Sequence, residues 1–370
     1  MTTLTGLPRA GQLDCVCAVA SDDSPVAGRS TFLLATAFSL SVLAQILILG
    51  ILPLAGLSLA PDHTWTSLPY AAFYAGAAVA SLPASLLLDA LGRRAAFSLG
   101  ASLGIAGGLV LVWALVHWHF GALVLSAFWL GVAGGFSLFY RHAAAGLSGQ
   151  GPRGTLLVFG AATLVGLVAP TLAGLAETML SPLTFVGVAI LAATAHIGSL
   201  VATAALPYGP ERSFADEGAT RTSFKDIRLP TLVGSLAWFL MTFLMGATPL
   251  AMVGCGLAEA VPGAIAWHVI AMYAPTLILA TLPGRLGAAR ILSGGCAALL
   301  AGTLAFVLAG TVAGFSISTA LVGIGWSLVT SGATLWIHRS GSPSRWALGL
   351  HDGSLLAGAL LGALATSLFA

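Results

Sequence analysis

Leu88-Asp89-Ala-Leu-Gly92-Arg93-Arg94 separates two apolar runs, near 67–88 and 95–116. Each run has about 20 residues, the length at which a helix crosses the hydrocarbon core of a bilayer. One acid, two arginines and a glycine stand between them. So short a charged break predicts a helical hairpin whose turn lies in water. The rest of the chain repeats the pattern. Further runs lie near 32–54, 120–139, 155–175, 183–205, 231–253, 264–282, 291–309, 312–337 and 347–369, which brings the expected spans to eleven. Of the 370 residues, 58% are hydrophobic and 7% charged. A soluble domain carries several times that charge fraction. The fold class expected is therefore an all-α polytopic membrane protein, and the 46 glycines suit close contact between its helices.

The basic residues give a topology. With the N-terminus in the cytoplasm, all 14 Lys and Arg fall in cytoplasmic segments. They are Arg9, Arg29, Arg93, Arg94, Arg141, Arg153, Arg212, Arg221, Lys225, Arg228, Arg285, Arg290, Arg339 and Arg345. The opposite loops hold only Asp62, His63, His117, His119, Glu177 and Glu259 as titratable groups. This partition follows the positive-inside rule. A multi-pass protein of the inner (plasma) membrane is expected, with a cytoplasmic N-terminus.

Residues 1–30 read as a cytoplasmic tail, because no apolar core of signal-peptide length occurs there. Cys15 and Cys17 lie in it as an incidental thiol pair. Residues 31–206 form an expected six-helix bundle, 207–230 a charged linker, and 231–370 a five-span bundle. The halves echo each other. Asp89-Ala-Leu-Gly92-Arg-Arg follows span two, and Gly284-Arg-Leu-Gly287-Ala-Ala-Arg290 follows span eight. Repeated bundles about a central cavity are a transporter architecture. A net charge of +2 gives no sign of nucleic acid or of an acidic partner. A small ion or molecule and the lipid bilayer are the expected partners. No nucleotide loop, catalytic triad or paired intramembrane carboxylates are found, so an enzyme is not expected.

Four of the five methionines after Met1 fall within 32 residues. Met241 and Met245 form one (i, i+4) pair, in span seven. His268 and Met272 form another, in span eight. That spacing puts both members of a pair on one helix face. Thioethers with imidazole suit a soft monovalent ion, above all Cu(I), while methionine alone is usually a flexible core filler. Neutral ligands would bury one charge rather than two, and charge deep in a bilayer is costly. With a rise of 1.5 Å per residue, Met245 and Met272 are expected about level, His268 above and Met241 below. Met252 extends the Met241–Met245 face outward, and Cys255 lies just beyond. These two are possible accessory ligands.

Leu88–Arg94 resembles the loop 2–3 signature of the major facilitator superfamily. That resemblance implies two helical bundles around a central cavity, with Asp89, Gly92, Arg93 and Arg94 at a cytoplasmic gate. A narrower resemblance covers nearly the whole chain. MxxxM in span seven, HxxxM in span eight, and the text Met241-Thr-Phe-Leu-Met-Gly-Ala-Thr-Pro and Trp267-His-Val-Ile-Ala-Met-Tyr-Ala-Pro275 resemble the CcoA-like copper importers of that superfamily. The resemblance implies that Met241, Met245, His268 and Met272 bind copper as a transported substrate, with no resident cofactor, and that the import serves cytochrome oxidase assembly. Relatives in the same branch resemble riboflavin importers, so an organic solute is the alternative. A non-transporting assembly factor is a third reading. The family has twelve spans, and the twelfth is missing from this sequence. His351-Asp352 departs from the Asn-Asp of the pattern near the inner end of span eleven. His196 is expected to bond a neighbouring helix, and Gln45 either faces the cavity or bonds another span. His117 and His119 are expected as a solvated interface pair. Ala169–Gly174 is expected as a kink in span five.

Overall fold

The computed structural model describes residues 24–147, 151–207, 224–282, 286–339 and 343–366. Cys15, Cys17 and most of the expected linker lie outside them. Twelve helices are described: α1 (Ser24–Leu59), α2 (Leu68–Val116), α3 (Phe120–Ser137), α4 (Phe139–Ala145), α5 (Gly151–Gly160), α6 (Thr163–Met179), α7 (Val186–Ala204), α8 (Phe224–Gly254), α9 (Val261–Ala280), α10 (Ala288–Val307), α11 (Val312–Ile337) and α12 (Arg345–Thr366). Among the described residues, ten helical stretches are long and apolar enough to cross a membrane.

One of those stretches counts twice. α2 has 49 residues, about 73 Å of helix at the standard rise, or more than twice a bilayer core. It is broken at Gly92, where φ is 77° and ψ 167°. Glycine adopts that backbone without the penalty a Cβ would bring. The two halves of α2 then lie alongside α3 at the same height. A Cβ at Gly76 would strike the Phe128 carbonyl, and one at Gly107 would strike Leu130. Gly131 of α3 packs just as tightly on the Phe73 carbonyl. The sequence Asp89–Arg94 is thus the tip of a hairpin, and the expected eleven spans agree with the helices seen.

Helices α3 and α4 make one span, interrupted at Leu138, and α5 and α6 make another, interrupted at Ala161–Ala162. The latter break lies ahead of the Pro170 position expected to kink this span. α8 begins at Phe224, so the last residues assigned to the linker are already helical.

α1 packs on α5 and α7, and α2 on α3 and α7. In the second half α8 packs on α11 and α12, α9 on α11, and α10 on α11. The halves meet where α2 lies on α12 and where α5 and α6 lie on α9. Every described arginine falls at one end of the bundle, hereafter the basic end. At that end Gly349 of α12 packs on Leu82 and Ser85, and the Ser85 hydroxyl donates to the Arg345 carbonyl at 2.6 Å. Toward the other end α2, α3 and α12 part around an apolar crevice of about 500 Å³, lined by Ala71, Ala75, Phe128, Leu360 and Leu364 among others.

Candidate substrate path

His268 is buried on α9. Its Nδ1 lies 2.8 Å from the Thr319 carbonyl of α11, and its Nε2 is buried with no partner among the described residues. A carbonyl only accepts, so Nδ1 carries the proton and donates. Nε2 is then left with a free lone pair. A backbone carbonyl holding one ring nitrogen while the other stays open is how proteins orient a metal-binding imidazole. α9 approaches α11 closely enough for this because Gly323 faces it. A Cβ there would sit 2.7 Å from the His268 carbonyl oxygen.

Met241 is buried, whereas Met245 and Met272 are partly buried against the same core. Trp238 of α8 and Trp326 of α11 meet edge-on with ring centroids 4.9 Å apart. Met241 is three residues farther from the basic end than Trp238, and Gly323 three farther than Trp326. Gly323 in turn faces Met272. α8 and α9 both pack along α11 and barely touch one another. Met252 does not extend the path. It is buried in a separate small cluster with Ala264 and Phe315, and Cys255 is exposed beyond it.

Toward the basic end, aromatic rings from both halves close the path. Phe38 (α1) stacks on Phe159 (α5), which stacks on Trp326, and Tyr273 (α9) meets all three edge-on. Among the described residues, Trp238 Nε1, Trp326 Nε1 and the hydroxyls of Thr242, Ser327, Thr330 and Ser331 are buried without a hydrogen-bond partner.

Below the rings lies a charged cluster around Asp352, which the sequence places near the inner end of span eleven, whereas it places Arg141 in a cytoplasmic segment. Arg141 was assigned beyond the end of span four, yet it is 1% exposed. α4 continues the span past Leu138, so Arg141 points into the bundle. Its Nη2 donates to Asp352 Oδ1 of α12 at 2.5 Å. His142 Nε2 lies 3.2 Å from Asp352 Oδ2, and His142 Nδ1 lies 3.0 Å from Nε2 of His338, which caps α11. His351 Nδ1 meets the Thr231 hydroxyl of α8 at 2.8 Å. One carboxylate therefore ties the first half to the second. The signals were an arginine-histidine pair directly after Phe139-Tyr140 and an acid inside an apolar span.

The expected gate residues lie at and beside the turn in α2. Asp89 is 60% exposed at its side chain and 3.7 Å from Arg345 Nε. Arg94 reaches the Leu206 carbonyl at 3.5 Å, and Gly92 makes the hairpin turn. Arg93 lies beside that turn and is also engaged. Gln45 donates to the Ser137 hydroxyl at 2.7 Å. His196 was expected to bond a neighbouring helix, but its Nδ1 is buried without a partner among the described residues and its ring packs on Gly104. His117 stacks on Trp113, and His119 caps α3 by accepting from the Ala122 amide.

No family model matches the chain. The human organic anion transporter MFSD10 (TETRAN) superposes with a TM-score of 0.67 at 16% identity, over 93% of this chain and 92% of that one. A major facilitator superfamily transporter, FucP, in its outward conformation superposes with a TM-score of 0.57 at 15% identity, over 91% and 98%. The chain has the major facilitator fold. In sequence it is 28% identical over 335 residues to the riboflavin transporter RfnT of Brucella anthropi, covering 87% of this chain and 83% of that protein. The major facilitator fold accounts for the contacts of α2 with α12 and of α5 and α6 with α9, which join its two halves.

Proposed function

We propose that this chain is a membrane transporter of the major facilitator superfamily that imports Cu(I) by alternating access. The basic end would face the cytoplasm. The observation that carries the ion is His268, whose imidazole is pinned through Nδ1 and open at buried Nε2. Met241 and Met245 of α8 and Met272 of α9 would supply soft neutral ligands. α8 and α9 both belong to the second half and are separate along α11, so the two pairs would close on an ion through a shift of these helices within that half. That suits a site which must also release its cargo. The test is uptake of ⁶⁴Cu by cells carrying the wild type or Met241→Ala/Met245→Ala at equal protein level. Equal uptake would overturn the reading.

A second reading is an organic solute of the riboflavin kind. It is supported by the likeness to RfnT and by the wall of aromatic rings with unpartnered indole and hydroxyl groups around it. Such groups could stack on and hydrogen-bond a planar ring. The rings already pack on one another, so a planar solute would have to part them, whereas an ion passes with less rearrangement. Riboflavin uptake by the same two strains separates the readings. Uptake that survives the double substitution, with no copper uptake in either strain, favours the solute.

A further inference from the structure

The crevice of about 500 Å³ between α2, α3 and α12 lies away from the arginines, and every residue lining it is apolar. On α2 the lining is Leu68 with Ala71, Ala72 and Ala75, and across from it stand Phe128 of α3 and Leu364 of α12. Alanine at three of the lining positions leaves the space that longer side chains would fill.

Water is a poor occupant for it. A cavity holds water only where several polar groups can bond it, and apolar cavities stay dry. An empty crevice would forfeit dispersion contacts along its walls. Nor does the crevice end inside the protein. Leu125 and Leu364 both line it, and they are 51% and 45% exposed. In a membrane-spanning bundle, apolar surface of that kind meets lipid, so the crevice continues the lipid-facing surface inward. It also starts at the membrane boundary, because Leu68 is the first residue of α2 and Gly121 the second of α3. From Leu68 to Ala75 the helix rises about 10 Å. That is roughly two-thirds of one leaflet's share of the ~30 Å hydrocarbon core.

We propose that this crevice binds one acyl chain of a phospholipid in the leaflet opposite the basic end. Its mouth suits the rest of that lipid. The N-termini of α2 and α3 both open there, and the Ser67 side chain makes no capping hydrogen bond to the first turn of α2. A helix start carries partial positive charge and favours a phosphate. Trp65 and Trp118, both exposed, precede the two helix starts, and tryptophan settles at headgroup level. A lipid tail is already in hydrocarbon, so it gains no hydrophobic energy by entering. The preference comes from packing against the crevice walls and from the phosphate at the mouth. Because α2 and α3 belong to one half and α12 to the other, the bound chain touches both halves at once.

The test needs no transported substrate, so it stands apart from the copper and riboflavin readings. The protein is placed in phosphatidylcholine nanodiscs that contain a trace of the same lipid with a diazirine midway along one acyl chain. After irradiation the lipid adducts are mapped by mass spectrometry. Residues 71–75, 124–128 and 360–364 should be labelled severalfold more than Val168, Leu175 and Met179, which are exposed on α6, a helix that does not line the crevice. Ala75→Phe fills the crevice and should abolish that excess, with α6 labelled as before. Ala71→Leu adds less bulk and should lower it, which keeps the test decisive where Ala75→Phe does not fold. Labelling no denser at the crevice than on α6 overturns the proposal. A second copy of the chain seated on this face would exclude the probe and give that same result. Wild-type labelling in a folded, filled variant overturns the proposal as well.

Discussion

Two polar regions sit in this apolar bundle and are built in opposite ways. The pairs on α8 and α9 are neutral and belong to two helices that barely touch. The cluster at the basic end is ionic: Arg141 and His142 of α4 meet the Asp352 carboxylate of α12, and His338 at the end of α11 joins through His142. Emptying the first strands no charge. Dismantling half of the second strands a charge where no water reaches it. On the proposed reading the first would bind and release, while the second can only hold or let go as a unit. A transporter that alternates between two closures needs one of each.

The largest expected effect comes from breaking the second region unevenly. Asp352→Asn leaves Arg141 buried without a counter-charge, which costs about 3–5 kcal/mol. Arg141→Met with Asp352→Leu removes both charges and should recover most of that loss. Thermal unfolding in detergent measures both. A single variant as stable as the wild type would show that water reaches the pair.

The two regions were unequally legible. The neutral pairs could be read because each obeys a helical spacing within a few residues. Gly92 with its flanking charges gave the hairpin for the same reason. The ionic cluster joins Arg141 and His142 to residues about 200 positions away, and no local spacing connects them. Arg141 was misplaced because the apolar run ends at 139 while the helix does not. Helical hydrogen bonding continues through α4, and burial follows the neighbouring helices rather than hydropathy.

The next effect sharpens the first region. Met272→Leu keeps volume and apolarity, so stability should change by less than about 1.5 kcal/mol. It removes the sulfur, and copper uptake should fall about tenfold or more, the scale on which weaker disturbances of metal sites already act. His268→Gln should act similarly. Wild-type uptake in Met272→Leu would rule out a thioether at this level.

Gly323→Ala tests the frame that pins the imidazole. The added carbon would lie 2.7 Å from the His268 carbonyl and 3.0 Å from the Ala271 side chain. α9 must move off α11, at a cost of about 1–3 kcal/mol for overpacking. The Thr319 contact should loosen, and copper uptake should drop severalfold with all four ligand residues present. Unchanged uptake would mean that the orientation of His268 is not set by this contact.

The smallest effect is expected where the sequence pointed most strongly to a gate. Asp89 reaches Arg345 Nε at 3.7 Å, but its own side chain is 60% exposed. Water and salt screen such a pair, and exposed pairs contribute about 0–1 kcal/mol. Arg345 also keeps the Ser85 hydroxyl on its backbone carbonyl, so α12 stays fastened to α2 without the carboxylate. Asp89→Asn should therefore lower thermal stability by less than about 1 kcal/mol. It should reduce uptake far less than Asp352→Asn does. Raised salt should shrink the Asp89 effect further and leave the Asp352 effect nearly intact, because only the exposed charge is within reach of counter-ions. If Asp89→Asn proves as damaging as Asp352→Asn, the hairpin tip carries the closure. The buried cluster would then be reduced to a structural tie.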